Sequence, residues 1–146
     1  LGAPYWNMDA RGIITGLTRG SNHNHIVRAA LESIAYQVSD LLDAIFQDMD
    51  MNLSTLKVDG GACANNFLMQ FQADIIQKKI DRPNNIESTA LGAGMLAGLG
   101  IGFWSHIGEL QNVRKTDRIF IAEMPEIERS ALINGWKIAV KQAKLT

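Results

Sequence analysis

The chain has 146 residues, 47% of them hydrophobic, the size of one ordinary domain able to bury a single core. Its 14 basic and 15 acidic residues are scattered and leave a formal net charge of -1, which gives no electrostatic case for nucleic acid or an anionic membrane as partner. The lone Cys63 excludes an internal disulfide framework and a cysteine-based zinc site, and fits a reducing, cytoplasmic setting.

The opening Leu1-Gly2-Ala3-Pro4-Tyr5-Trp6 has no initiator Met, basic leader or apolar leader, and predicts a fragment of a longer chain. Ile13, Ile14 and Leu17, set between glycines, predict a short strand over 11–17. The polar cluster Ser21-Asn22-His23-Asn24-His25 then caps a long helix. Its apolar face is read from Val27, Ala30, Leu31, Ile34, Val38, Leu41, Leu42 and Ile45 at three- and four-residue steps. Arg28, Glu32, Asp40, Asp43 and Gln47 form the wet side.

Leu53 to Val58 predicts a strand ending in the turn Asp59-Gly60-Gly61, with a second helix from Asn65 to Gln77. Lys78 to Pro83 reads as a strand with a proline stop, and Thr89 to Gly100 as a small-residue helix opened by Ser88 or Thr89. The uncharged run from Ser88 to Ile107 is broken by glycines and falls short of the about 20 apolar residues a membrane span needs. From Arg114 the chain turns polar, and Pro125 begins a terminal helix through Ile127, Leu132, Trp136 and Ala139, with Lys137, Lys141 and Lys144 near its negative end. Alternating helices and strands predict an α/β layer architecture.

The strand, glycine turn and helix at Leu56–Asn66 carry the most chemistry. Gly60 and Gly61 lack Cβ and let a ligand approach the backbone, while free N–H groups at the following helix start suit an anion. A plain Asp-Gly tight turn is the competing reading. No Walker loop and no Gly-x-Gly-x-x-Gly fingerprint is present. Asn65 and Asn66 suit a helix cap and equally the edge of a base or a ribose hydroxyl. Asp59 either bonds its own turn, which is favoured, or orders a metal-bound water.

His23 and His25 are two apart, without the four-residue spacing of paired helical ligands, and read as capping rather than metal binding. Arg19 reads as a solvated loop residue. Gly92, Gly94 and Gly98 predict close helix packing, with room for a nucleotide as the alternative. Trp6, Trp104 and Trp136 are read as core or interface anchors.

Gly12-Ile13-Ile14-Thr15-Gly16-Leu17, seven further residues, and His25-Ile26-Val27-Arg28-Ala29-Ala30-Leu31-Glu32 resemble the second signature of the FGGY family of sugar and polyol kinases. Leu1 to Trp6, Gly16 to Gly20, Leu31 to Gln37, Val58 to Ala62 with Asn65 to Asp74, and Thr89 to Ala93 resemble its glycerol-phosphorylating members in particular. The likeness runs from Leu1 to about Trp104. It implies the C-terminal lobe of an actin-like ATPase (ribonuclease H-like) fold, truncated at its N-terminal side, with residues 1–146 as one nucleotide-binding lobe and 114–146 as its polar segment and terminal helix.

By that resemblance the Asp-Gly-Gly turn is the family's adenosine motif. Gly61 and Asn65 are then the ATP contacts, Gly60 and Ala62 their neighbours, and Cys63 a packing residue. The family uses ATP with Mg2+. Its polyol pocket, catalytic aspartate and phosphate-binding hairpins would precede Leu1, so no catalytic or metal residue is assigned here, and the piece alone is expected to be inactive. A kinase for another sugar, or a non-catalytic actin-like ATP-binding module, are the alternatives. An exposed sheet edge predicts self-association into a homo-oligomer.

Overall fold

The computed structural model describes residues 1–49 and 53–145. Helix α1 spans His23–Asp48, strand β1 Thr55–Lys57, helix α2 Asn66–Ile76, strand β2 Lys79–Pro83, helix α3 Ser88–Gly100, strand β3 Thr116–Phe120 and helix α4 Glu126–Ala143. Short 3-10 turns cover Gly61–Ala64 and Ile107–Asn112.

The sheet has the order β1-β2-β3. β1 and β2 run parallel, pairing Leu56 with Ile80, and α2 is the crossover that a parallel pair requires. β3 closes back antiparallel on the far side of β2, pairing Phe120 with Ile80 and Arg118 with Arg82. The next pair joins Pro83 to Thr116, so Asp117 is the extra residue of a β-bulge. The polar segment from Arg114 therefore contributes a full strand, which the sequence reading did not separate from its surroundings.

The core gathers between the sheet and the helices on one face. Leu68, Phe71, Ala73 and Ile75 of α2 meet Ile80, Phe120 and the α1 residues Ala35 and Tyr36, all buried. Tyr36 stands edge-on to Phe71 at 5.4 Å and stacks on Trp136 of α4 at 5.2 Å. Burial above all, with the nearby Glu32 charge, pushes the Tyr36 hydroxyl up to about 12.

Helix α1 starts where its caps predict. The Asn22 side chain accepts from the Asn24 and His25 N–H groups, and His25 Nδ1 accepts from the Asn22 N–H at 3.2 Å, a reciprocal capping box. Its core face matches the expected one only in part: Leu42 packs against the core and Leu31 and Val38 are half-buried. Ala35, Tyr36 and Ser39 are buried, whereas Val27, Ile34, Leu41 and Ile45 are exposed. The small residues Ala35 and Ser39 let α2 approach closely, near enough for Gln72 Nε2 to donate to the Ala35 carbonyl at 3.2 Å, and that contact outweighs the larger side chains elsewhere on the helix.

Asp40, assigned to the wet side, is half-buried instead. Its Oδ2 accepts from the Tyr5 hydroxyl at 2.9 Å and from Trp136 Nε1 at 2.7 Å. Burial, then this hydrogen bond, raises the Tyr5 hydroxyl to about 12. Residues 11–17 form no strand. Gly12 and Ile13 run over the surface between α1 and α4, facing Ser33, Gln37 and Trp136, where helices offer no ladder of hydrogen bonds.

Trp6 is 76% exposed and lies outside the core of the described residues. Trp104 packs on α3, where a Cβ at Gly98 would stand 2.4 Å from its ring. Close packing thus accounts for Gly98, but Gly92 and Gly94 face open space. Among the described residues no helix is long and apolar enough to cross a membrane.

Candidate functional site

The Asp59–Asn66 segment emerges from the C-terminal end of β1, the end of a parallel strand where α/β sheets place their ligand crevice. Gly60 takes φ +81, a conformation L side chains rarely adopt, and its N–H donates to the Ile86 carbonyl at 2.8 Å. That bond ties the turn to the connection between β2 and α3. The Gly60 carbonyl accepts from the Cys63 N–H at 3.1 Å, starting the 3-10 turn. Gly61 and Ala62 lead that turn, so their N–H groups have no partner within it, and both residues are exposed.

Asn65 links the 3-10 turn to α2. Its Oδ1 accepts from the Leu68 N–H at 3.1 Å as the helix cap. Its amide nitrogen makes no hydrogen bond among the described residues, and the residue is exposed like Gly61 and Ala62. Gly60, Gly61, Ala62 and Asn65 are therefore brought together within six residues, with two backbone donors and one side-chain donor unspent.

The neighbours take other roles. Asn66 Oδ1 accepts from Arg82 Nη1 at 2.8 Å. Cys63 is 2% exposed, and burial raises its thiol above the ordinary range against the opposing Arg82 charge, the surroundings of a packed side chain. Asp59 was expected to bond its own turn; its carboxylate is exposed and accepts no hydrogen bond among the described residues. Among those residues no three His, Cys, Asp or Glu converge into a metal-ligand cluster.

Arg82, next to the C-terminal end of the central strand, is the residue that sequence reasoning missed. Its Nη1 also donates to the Cys63 and Ala64 carbonyls at 3.1 and 3.3 Å, while Nε and Nη2 hold Asp117 Oδ2 at 2.8 and 2.7 Å. Only the sheet register brings these groups to one point, and no spacing along the chain announces it. The apolar run Ile119-Phe120-Ile121 after polar residues was the available signal for β3.

A cavity of about 630 Å³ opens beside the segment, between α3 and the second 3-10 turn. Asn84 and Asn85 of the β2–α3 connection and Ser88, Leu91, Gly92 and Met95 of α3 line one side of it. It flanks Ile86 but reaches none of Gly60, Gly61, Ala62 and Asn65, so the open Gly92 belongs to this cavity and not to the turn.

The chain belongs to the FGGY family of carbohydrate kinases: the pattern of that family's C-terminal domain matches residues 1–101. The fold is that of the C-terminal lobe of these actin-like ATPases. Its relatives include the glycerol kinase of Desulfitobacterium hafniense, 58% identical over 142 residues, which cover 97% of this chain and 29% of that protein. The glycerol kinase of Aeromonas hydrophila is 56% identical over 144 residues, 99% of this chain and 29% of its own. Plasmodium falciparum glycerol kinase, solved with ADP, superposes with a TM-score of 0.83 at 38% identity, over 97% of this chain and 28% of that one. The chain thus spans under a third of the length of the relatives it matches.

Proposed function

We propose that this chain is the nucleotide-binding part of an ATP-dependent glycerol kinase, with Gly61 and Asn65 contacting the adenosine moiety and Gly60 and Ala62 shaping the turn around it. The observation that carries the assignment of the turn is Gly61. A Cβ there would meet nothing within 4 Å, and its φ is not positive, so neither packing nor backbone strain in this chain requires glycine. That space leaves room for a ligand to lie close against the backbone. The unspent Gly61 and Ala62 N–H groups and the Asn65 amide supply donors at the same place.

Likeness to glycerol kinases over 97 to 99% of the chain supports glycerol as acceptor, with transfer of the ATP γ-phosphate to give glycerol 3-phosphate. Phosphoryl transfer depends chiefly on positioning and charge neutralisation, and Mg2+ held by the rest of the enzyme would supply part of the latter. Residues 1–146 contribute the positioning of the nucleoside. The glycerol pocket and the base for its hydroxyl are assigned to the rest of the enzyme, and this piece is inactive alone. All of 1–146 forms one lobe in this reading, since β3 and α4 pack on the same core as the matched residues. We place the enzyme in the cytoplasm, where ATP is available and Cys63 stays reduced.

The test is steady-state kinetics of the full-length enzyme. Gly61→Val is expected to raise the KM for ATP by about tenfold or more, the effect of a close approach lost, while the KM for glycerol stays within about twofold. Equal changes in both would reduce the turn to a scaffold. No ATP-dependent phosphorylation of glycerol by the wild-type enzyme would overturn the acceptor, and activity on another polyol or sugar in the same assay would replace it.

A further inference from the structure

We infer that Arg82 is the positioning residue for the Gly60–Asn66 segment and that β3 aims it through Asp117. The inference rests on reading that segment as the adenosine contact. A guanidinium is a planar fork of five donors, able to serve two sets of acceptors at once. Here Nη1 faces the turn, donating to Cys63 O, Ala64 O and Asn66 Oδ1, and the Nε–Nη2 edge grips Asp117.

The acceptors are placed tellingly along the chain. Cys63 and Ala64 lie between Gly61 and Asn65, and Asn66 follows directly, so the backbone joining the two proposed contacts hangs from this one cation. The aliphatic and planar parts of Arg82 are themselves held, with the guanidinium 5.2 Å from the centre of the buried Phe120 ring and the side chain only 12% exposed. Asp117 reaches it because it is the bulged residue of β3, where the extra residue re-aims a side chain out of the ladder. β3 lies beyond the residues matched by the family's C-terminal domain, so the polar tail of the chain becomes part of the apparatus that sets the nucleotide contact.

Arg82 touches no reacting group in this account. It sets the spacing and direction of the Gly61 and Ala62 N–H groups and of the Asn65 amide. Removing it leaves the carbonyls of Cys63 and Ala64 without their donor and frees the turn to tilt. The expected signature is weaker nucleotide binding at unchanged turnover.

The experiment uses the full-length enzyme with Arg82→Met, Asp117→Asn and, as a control, Gly61→Val, following KM for ATP, KM for glycerol, kcat and the thermal midpoint. Arg82→Met should raise the KM for ATP about tenfold and Asp117→Asn about threefold, as expected for lost charge-assisted hydrogen bonds, with kcat and the KM for glycerol within about twofold. Should Arg82→Met fail to fold, Asp117→Asn decides alone, because the Asp117 side chain is 43% exposed and its isosteric amide leaves the sheet intact. An unchanged KM for ATP in the folded variants, or a parallel rise in both KM values, overturns the inference. If Gly61→Val raises the KM for ATP and these variants do not, the positioning role alone fails. If Gly61→Val is also without effect, the adenosine reading fails with it.

Discussion

At the scale of single residues, Asn65 carries two duties that chemistry can separate. Its carbonyl oxygen caps α2 through the Leu68 N–H, and its amide nitrogen is unspent beside the glycine turn. Asn65→Ala should lose both, costing about 1 kcal/mol of stability in urea unfolding and raising the KM for ATP. Asn65→Asp keeps an acceptor for the cap and loses the donor. It is expected to unfold at nearly the wild-type urea concentration while weakening ATP, and a variant that loses stability without losing affinity would make Asn65 a cap alone. The sequence offered both duties and could not rank them, because the same amide satisfies either. Asp59 shows the opposite outcome, a residue whose expected local bond does not form.

At the scale of elements, the strands and helices with strong local signals were legible: Asn22 and His25 start α1, the Asp-Gly turn ends β1, and Pro125 precedes α4. What the sequence withheld was which residues of α1 lie deepest. Val27, Ile34 and Leu41 are the obvious apolar stripe, yet α2 selects the smaller Ala35 and Ser39 because close approach of two helices favours little side chains. Residues 11–17 carry strand-like composition but lie over helices. β3 was hidden for a related reason, since its meaning lies in partners on another strand.

One such partner set makes a pH prediction. Asp81 of β2 accepts from Arg114 Nη1 at 2.8 Å and Thr116 Oγ1 at 3.0 Å, and Arg114 Nη2 bonds the Asp81 carbonyl. Burial alone would raise the carboxyl; the two hydrogen bonds and the Arg114 charge override it and hold it below the usual carboxylate range. A lowered folded-state value contributes stability above the unfolded pKa of about 3.9, which is lost as pH falls through the folded value. Asp81→Asn should therefore lower stability at neutral pH and flatten its decline below about pH 4, measured by urea unfolding across that range. An unchanged acid slope would remove Asp81 from the docking of β3.

At the scale of the whole molecule, β1 pairs on one side only among the described residues, and α1 presents Val27, Ile34, Leu41 and Ile45 to solvent. An open strand edge and an apolar helix face both favour association. The 146-residue chain alone is expected to self-associate, and Ile34→Lys with Leu41→Lys should shift it toward monomer in sedimentation equilibrium without lowering its unfolding midpoint. A wild-type chain that stays monomeric at high concentration would contradict this. The family fold was legible from its signature, which extends over the α1 entry, the glycine turn and the start of α3. The link from the tail to the turn was not, because Arg82 and Asp117 are 35 positions apart and meet only across the sheet.

The bond from Trp136 to Asp40 has a spectroscopic side. The indole stacks on Tyr36 and gives its N–H to a half-buried carboxylate, whereas Trp6 stands in water and Trp104 rests in the notch at Gly98. The three rings therefore occupy three different electrostatic surroundings. With Trp6 and Trp104 replaced by Phe, the remaining emission would come from the joint between α1 and α4 alone. The chain thus holds an intrinsic optical label where its first and last helices meet.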